Sequence, residues 1–174
     1  IAKINRTMKE YLDGGIFREY RNEMIYTERT LSDGRVRKGI VGAVDLSEYD
    51  YEAGSRSMIR ATEGTVLSRI PPRVRIRENA PLELPHIMIL IDDPGHTVIP
   101  EENAGEIVYD TELMLGGGHI RGSLMGREGI EEVTRALERL AVGREQPLLF
   151  AVGDGNHSLA TAKACVDKEN PLSR

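Results

Sequence analysis

Hydrophobic residues along the chain recur at two spacings, and the wider spacing predicts three helices. Apolar side chains three or four positions apart occupy residues 8–12, ahead of a Gly-Gly pair that is typical of a helix end. The same spacing runs through residues 130–141 and stops before a further glycine. A third series, at residues 159–166, predicts a helix that ends at Asn170-Pro171.

Shorter runs rich in β-branched and aromatic residues predict two hairpins. The first covers residues 24–46 and turns at Ser32-Asp33-Gly34, because glycine tolerates the positive φ of a tight hairpin turn. The second covers residues 106–125 and turns at three consecutive glycines, residues 116–118. Each hairpin predicts a pair of neighbouring antiparallel strands.

Two continuous apolar runs predict buried strands. Residues 86–91, HIMILI, form the most hydrophobic run and predict a central strand covered on both faces. Residues 148–152 predict a second buried strand, which the polar and glycine residues 153–156 end in a tight turn before the last helix. We expect a loop at residues 47–54, between the first hairpin and the rest of the chain.

These elements follow one another without regular strand–helix alternation. The pattern favours an α/β (α+β) fold in which a mixed β-sheet carries hairpins and flanking helices. At 174 residues the chain has the length of a single α/β domain, residues 1–174. It begins without an initiator methionine, so we expect a fragment of a longer chain.

Composition narrows the class of protein. The net charge of −5 and the pI near 5.5 argue against a general nucleic-acid-binding protein, so no DNA partner is expected. The single cysteine, Cys165, excludes an internal disulfide and indicates a reducing, cytoplasmic setting. No apolar run approaches the roughly 18 residues of a membrane-spanning helix. We expect a small-molecule ligand and no membrane, and we leave a homodimer open.

The segment 56–77 differs in charge from the rest of the chain. It holds six arginines, no lysine and one acid, Glu63, which gives a net charge of +5. Pro71-Pro72 divides it, and further prolines follow, so residues 70–85 are not expected to form one unbroken helix. The use of arginine without lysine favours phosphate binding, because the guanidinium fork matches the phosphate oxygens. A solvated basic face of the protein would have the same composition.

From this segment we take Arg60 and Arg73 as candidate phosphate-binding residues. Glu63 is a lone carboxylate among cations, so it could act as a base or bind a metal ion. An ion-pair partner for one of the arginines is the alternative role of Glu63. The sequence does not decide between them.

The turn at residues 153–158, GDGNHS, is the strongest candidate for a binding site. A strand–turn–helix connection presents backbone N–H groups and the positive end of the helix dipole, which suit a phosphate or a carboxylate. Asp154, Asn156 and His157 add more polar side chains than the turn requires. A P-loop is excluded, because its Gly-Lys-Ser/Thr ending is absent. A strand–helix connection without any ligand stays open as the alternative.

A metal ion is a further candidate. Asp92 and Asp93 follow the apolar run 86–91 and offer the oxygen ligands that Mg²⁺ prefers, although Asp before Pro-Gly also forms an ordinary turn. The four histidines lack zinc-type spacing. Cys165 lies on the apolar stripe of its predicted helix and is expected to pack in the core.

Several motifs together resemble one family. The runs IRATEGTVL (59–67), RIPPR (69–73), ENA (78–80) and HIMILIDD (86–93) are similar to an uncharacterised prokaryotic family, domain of unknown function ten-fifteen. Its late motif is Asp-Gly-His-His-Arg followed by a helix with a Thr-Ala pair. This chain keeps Asp154, Gly155 and His157, whereas Asn156 and Ser158 replace the His and the Arg.

The late motif is also similar to the phosphate-binding box of the ParB/sulfiredoxin superfamily, which includes free-serine kinases. This resemblance implies ATP, ADP or another nucleotide on the turn 155–158, together with Mg²⁺ on Asp92 or Asp154. Our leading hypothesis is a small-molecule kinase of the free-serine-kinase type, in which His157 donates to the transferred group and Glu63 is the base. A non-catalytic module that binds a nucleotide or metabolite is the alternative.

Overall fold

The protein is described from a computed structural model that covers residues 1–84 and 87–169. Within these residues the chain forms four α-helices and two four-stranded sheets, one antiparallel and one mixed, which confirms the α/β class. The strands are β1 (Ile25–Thr30), β2 (Val36–Val41), β3 (Tyr49–Asp50), β4 (Ile59–Ala61), β5 (Met88–Ile91), β6 (Ile107–Glu112), β7 (His119–Leu124) and β8 (Phe150–Asp154). The helices are α1 (Ala2–Asp13), α2 (Ile70–Arg77), α3 (Gly126–Ala141) and α4 (Asn156–Glu169).

The chain divides into two compact units. Unit 1 consists of Ile1–Glu19, Val44–Asp92 and Arg144–Arg174, and unit 2 consists of Tyr20–Ala43 and Asp93–Gly143. The mixed sheet belongs to unit 1 and the antiparallel sheet to unit 2. The single domain expected for residues 1–174 stays a prediction.

Unit 2 contains both predicted hairpins. Its strands lie in the order β2-β1-β7-β6, and every neighbouring pair is antiparallel. The first hairpin closes where the Leu31 N–H donates to the Arg35 carbonyl at 2.8 Å, with Gly34 at a φ of +85°. After β7 comes α3, which buries Val133 and Ala136 and matches the helix predicted from its apolar spacing.

Unit 1 contains a sheet in the order β3-β4-β8-β5, in which β3, β4 and β8 are parallel and β5 is antiparallel to β8. Its core is a cluster that includes Tyr49, Ile59 and Val152 from the sheet and Leu159 from α4. Helix α2 packs against α4. The parallel neighbours β4 and β8 are therefore each followed by a helix of the same unit.

The apolar run 86–91 does not form a central strand, so that prediction was wrong. In the described part of the chain, strand β5 is an edge strand that pairs with β8 alone, and its burial alternates. Met88 and Leu90 are 41% and 54% exposed, as fits a strand at the edge of its sheet. His86 lies outside the described residues.

The loop predicted at residues 47–54 contains the short strand β3. Its Tyr49 is fully buried and pairs with Ile59 of β4. Two residues are too few to produce the alternation by which strands are recognised in a sequence. The tertiary contact with β4 forms this strand, and local propensity does not.

The Pro71-Pro72 pair does not interrupt a helix but begins one. Both prolines lie in the first turn of α2, where the backbone N–H has no intrahelical acceptor and proline costs little. The helix ends at Arg77, which confirms that residues 70–85 are not one unbroken helix.

Both ends of the chain carry helices. Helix α1 ends before Gly14 and Gly15, as predicted from the apolar spacing. Helix α4 is described as far as Glu169, and the predicted stop at Asn170-Pro171 lies outside the described residues. In residues 1–84 and 87–169 no helix is both long enough and apolar enough to cross a membrane.

Candidate functional site

The turn between β8 and α4 is tighter than the sequence predicted. The strand continues through Asp154 and the helix begins at Asn156, which leaves Gly155 alone between them. Gly155 has a φ of +88°, and a Cβ at this position would lie 2.9 Å from Cγ1 of Ile87. Both the backbone conformation and the close neighbour require glycine here.

A second strand–helix turn lies beside it. The segment 62–69 leads from β4, the parallel neighbour of β8, into α2. The N–H of Val66, just before α2, donates to Nε2 of His157 in the first turn of α4 at 3.1 Å. At the far ends of the same helices, Lys168 of α4 pairs with Glu78. The two helices therefore run in the same direction, with both N-termini at the carboxyl edge of the sheet.

Asn156 joins the two turns. Its side chain is buried, its Oδ1 accepts from the Thr62 N–H at 3.2 Å, and its Nδ2 donates to the Val152 carbonyl at 3.1 Å. These bonds connect the end of β4 to the end of β8. Asn156 is thus part of the internal framework, and its amide is already engaged at the position where we expected a phosphate contact.

Two residues of this framework were not singled out from the sequence. Thr62 Oγ1 donates to the Val152 carbonyl at 2.5 Å, and the Tyr49 hydroxyl donates to the Asn156 carbonyl at 3.4 Å. Burial raises the pKa of Tyr49 to about 12, so its hydroxyl remains a donor. Thr62 lies within the quoted run IRATEGTVL, whereas Tyr49 belongs to a strand with no sequence signal.

His157 and Glu63 face each other at the meeting point of the two turns. Nε2 of His157 accepts a hydrogen bond from Val66, so in the neutral ring the proton is on Nδ1. Nδ1 lies 3.7 Å from Oε1 of Glu63, and the exposed fractions are 15% for the His157 side chain and 61% for that of Glu63. The imidazole is therefore held in one orientation, while the carboxylate reaches solvent.

Asp154 and Ser158 flank Gly155 along the chain. Asp154 is exposed, and its Oδ1 accepts from the Gly155 N–H at 2.7 Å. Ser158 is half-buried in the first turn of α4. Because α4 begins at Asn156, the backbone N–H groups of this turn have no intrahelical acceptor and point toward the carboxyl edge of the sheet.

The two candidate arginines lie at different places. Nε of Arg60 donates to the Ser57 carbonyl at 2.6 Å and its Nη2 to the Gln146 carbonyl at 3.3 Å, at the amino ends of β4 and β8. The structure therefore does not bring Arg60 to the turn at Gly155. Arg73 is exposed in the first turn of α2, the helix whose N-terminus lies beside that of α4.

The two candidate magnesium ligands lie far apart. The Asp92 N–H donates to the Leu149 carbonyl at the start of β8, and Asp154 is the last residue of β8. Five residues of extended strand separate these points by roughly 16 Å. Asp92 also pairs with Arg144, from Nη1 to Oδ2 at 2.9 Å. One ion cannot use both carboxylates, and Asp154 is the one beside the turn.

Asp93 has a local structural role in unit 2. Burial acts to raise its pKa, but hydrogen bonds from the Val98 and Thr97 N–H groups outweigh this and lower the pKa. Its Oδ2 accepts from Val98 at 2.8 Å. This is the turn geometry that we gave as the alternative to metal binding.

The residues at the α4 N-terminus fit a magnesium-bound phosphate better than a protein-enclosed metal. Among the described residues no group of three or more His, Cys, Asp or Glu side chains could hold a metal ion. Mg²⁺ typically takes one or two carboxylates and completes its shell with substrate phosphates and water. Asp154 can be such a carboxylate. In addition, Oγ1 of Thr65 is buried without a partner beside Val66, which suits a ligand that has acceptor oxygens.

Comparison with known proteins gives one match. The family model described as Protein of unknown function (DUF1015) matches residues 1–173, nearly the whole chain. The comparisons with curated proteins and with solved structures give no match.

Proposed function

We propose a function for this chain, which belongs to the DUF1015 family, from the geometry of its site: it binds a nucleotide and transfers a phosphoryl group to a hydroxyl of a small metabolite. The observation that carries this proposal is the pairing of Glu63 with His157 where two parallel strand–helix turns meet. Ligands of α/β proteins commonly bind at the carboxyl ends of parallel strands. The resemblance to free-serine kinases suggests the same class of reaction.

The phosphates of the nucleotide would lie on the first turn of α4. Gly155 has no side chain to obstruct them, and the positive ends of both α2 and α4 lie at this edge. Arg73 is an exposed cation in the first turn of α2 that can add a charge-assisted contact. Arg60 has no part in this proposal, because backbone carbonyls hold it at the other end of the strands.

Glu63 would be the general base. Its carboxylate is largely exposed and can accept the proton of an attacking hydroxyl. His157 would position Glu63 and would not donate to the transferred group, since Val66 occupies its Nε2 and its Nδ1 faces the carboxylate. Phosphoryl transfer depends mainly on positioning and charge neutralisation, which suits so small a set of residues.

Asp154 would hold Mg²⁺ through the carboxylate oxygen that does not accept from Gly155. The ion would neutralise charge on the phosphate oxygens during transfer. The hydrogen bond from the Gly155 N–H keeps the carboxylate of Asp154 close to the start of α4.

A non-catalytic nucleotide- or metabolite-binding module is the second candidate. Asn156 and Nε2 of His157 are engaged within the protein, so fewer side chains remain to bind phosphate. Ser158 occupies the position at which the late motif of the family has arginine. Both observations favour binding without turnover.

The test compares binding with turnover. Calorimetry with ATP, ADP and CTP, each with Mg²⁺, measures affinity, and a phosphorylation assay with serine and small hydroxy acids measures turnover. In Glu63→Gln we expect kcat to fall by about 10²–10⁴ with little change in nucleotide affinity. Glu48→Gln, another exposed carboxylate of unit 1, is the matched control and should leave both unchanged.

Three results would separate the candidates. Absence of binding by all three nucleotides would refute both. Nucleotide binding without phosphorylation of any acceptor would support the non-catalytic module. Turnover that survives in Glu63→Gln would remove Glu63 from the role of base. A cytoplasmic location, a homodimer and the absence of a DNA partner stay predictions.

A further inference from the structure

The antiparallel sheet of unit 2 has two faces that differ in how their charges are compensated. Residues paired across strands share a face, so one row on the first face reads Lys38, Glu28, Arg121 and Asp110 across β2, β1, β7 and β6. The signs alternate along this row. Lys38 also pairs with Glu101 at 2.6 Å, and Asp110 accepts from Nε2 of His119 at 2.7 Å. Charges on the first face are therefore balanced within the protein.

The second face carries two arginines and no carboxylate among its strand residues. Arg29 of β1 lies directly opposite Arg37 of β2. Like charges in opposite positions of an antiparallel pair are destabilising. The other strand residues of this face are Ile25, Thr27, Gly39, Val41, Tyr109, Thr111, Ile120, Gly122 and Leu124.

Neither arginine of this pair finds a carboxylate partner in the described part of the chain. Nη2 of Arg29 donates to the Gly117 carbonyl at 3.2 Å, but its Nε is buried and has no acceptor. Arg37 is exposed, and its side chain makes no hydrogen bond or ion pair with any described residue. A buried donor of a charged group that lacks an acceptor is costly, so an external acceptor would stabilise it.

The row of residues next to the two arginines carries two hydroxyl groups. The adjacent row consists of Gly39, Thr27, Gly122 and Tyr109. A Cβ at Gly122 would lie 2.1 Å from Cζ of Tyr109, so the tyrosine ring covers this glycine. Gly39 has no side chain beside Arg37, and Thr27 and Tyr109 lie on the same face.

We propose that Arg29 and Arg37 bind a phosphate-type oxyanion on this face of the unit 2 sheet. The anion neutralises the opposed pair of cations, and its oxygens accept from the guanidinium N–H groups of the two side chains. Two guanidinium forks match the tetrahedral oxygens of phosphate and of its esters. The site does not depend on the function proposed for Glu63 and His157, since it uses none of the same residues.

The test is a titration of the whole chain with inorganic pyrophosphate at constant ionic strength, followed by backbone NMR shifts of residues 27–39 and by calorimetry. We expect saturable binding that shifts the amides of Arg29 and Arg37. Arg37→Gln should weaken the affinity for pyrophosphate at least about tenfold, because the site loses one of its two cations. Since this side chain is exposed, the substitution should not disturb the fold. Arg29→Lys, which keeps the charge but loses Nε, should weaken it as well.

The matched control is Arg35→Gln in the same hairpin, because Arg35 already pairs with Asp33 at 2.7 Å. It should bind pyrophosphate like the unmodified chain. Equal weakening by Arg35→Gln and Arg37→Gln would indicate general charge attraction and overturn the proposal, as would the absence of saturable binding. Binding that shifts only amides near Gly155 would support the other site and overturn this one.

Discussion

Two turns of this protein have nearly the same local structure and different surroundings. In unit 2, β7 ends at Leu124 and α3 begins at Gly126; in unit 1, β8 ends at Asp154 and α4 begins at Asn156. Each strand is thus followed by one residue and then by a helix. Each turn also uses a glycine with positive φ, +66° at Gly126 and +88° at Gly155.

The difference lies in what neutralises each helix N-terminus. At α3 the Gly126 N–H donates to Oε1 of Glu23 at 2.8 Å, and Glu128 places a further carboxylate in the first turn. The first turn of α4 contains no acidic residue. At α4 the Gly155 N–H donates to Oδ1 of Asp154 at 2.7 Å, so a carboxylate lies at each N-terminus. The positive end of α3 thus has two carboxylates of the chain close by, whereas that of α4 has one and is less fully compensated.

The neighbouring strands explain this difference. Strand β7 lies between antiparallel neighbours, but β8 has β4 as a parallel neighbour, and β4 leads to a second helix at the same edge. That arrangement brings Glu63 to His157. The two similar turns thus differ because a parallel neighbour with its own helix brings a second set of polar side chains to the turn at Gly155.

The largest expected effect comes from the two turn glycines. Gly155→Ala should destabilise unit 1 by about 3 kcal/mol, because a left-handed backbone is strained and the new Cβ meets Ile87 at 2.9 Å. Gly126→Ala should cost only about 1–2 kcal/mol, since no atom lies within 4 Å of its Cβ position. Urea denaturation of both variants measures the difference; equal losses would contradict the role assigned to Ile87.

The next effect depends on pH. Burial raises the pKa of Tyr49 to about 12, so the unfolded chain loses this proton first, near pH 10. The contribution to stability is complete below pH 10 and declines as pH rises toward 12, by at most about 3 kcal/mol. Unfolding free energies of the unmodified chain and of Tyr49→Phe should diverge only in that window. Parallel curves up to pH 12 would show that the hydroxyl is not buried.

Asn156 and Glu23 each brace one of the two turns, and the loss of each side chain should expose different backbone groups. Asn156→Ala should cost about 2 kcal/mol, because the buried Val152 carbonyl and the Thr62 N–H each lose a partner. Glu23→Ala should cost about 1 kcal/mol, because the partly buried Gly126 N–H at the start of α3 loses its acceptor. Amide hydrogen exchange at Thr62 should accelerate only in Asn156→Ala, and unchanged exchange there would contradict the bracing role.

The smallest effect concerns the parallel helices α2 and α4. Lys168→Ala should cost less than about 1 kcal/mol, because the pair with Glu78 is partly exposed and screened by salt. A double-mutant cycle with Glu78→Ala isolates the coupling, and Lys9→Ala with Asp13→Ala in α1 provides a surface pair for comparison. No coupling between Lys168 and Glu78 would weaken the evidence that the helices run in the same direction.

Local pattern was sufficient for much of the fold. Both hairpins and α3 follow from apolar spacing and turn glycines, because these features act over a few neighbouring residues. The strand–turn–helix at 148–166 follows for the same reason. Strand β3 and the exposed edge position of β5 did not follow, since burial of a strand depends on neighbours that are distant in sequence.

The sequence by itself determined which residues carry the polar chemistry of the candidate site, because Glu63, Asp154, Asn156 and His157 all lie in recognisable motifs. Only the tertiary structure decided which of these side chains are bonded within the protein and which can contact a ligand. Asn156 bonds to Thr62, 94 residues away, and His157 bonds to Val66 across 91 residues. These contacts arise because β4 and β8 pair in parallel. Such pairing joins segments that are distant in sequence, and it produces no periodic pattern of residues in either segment.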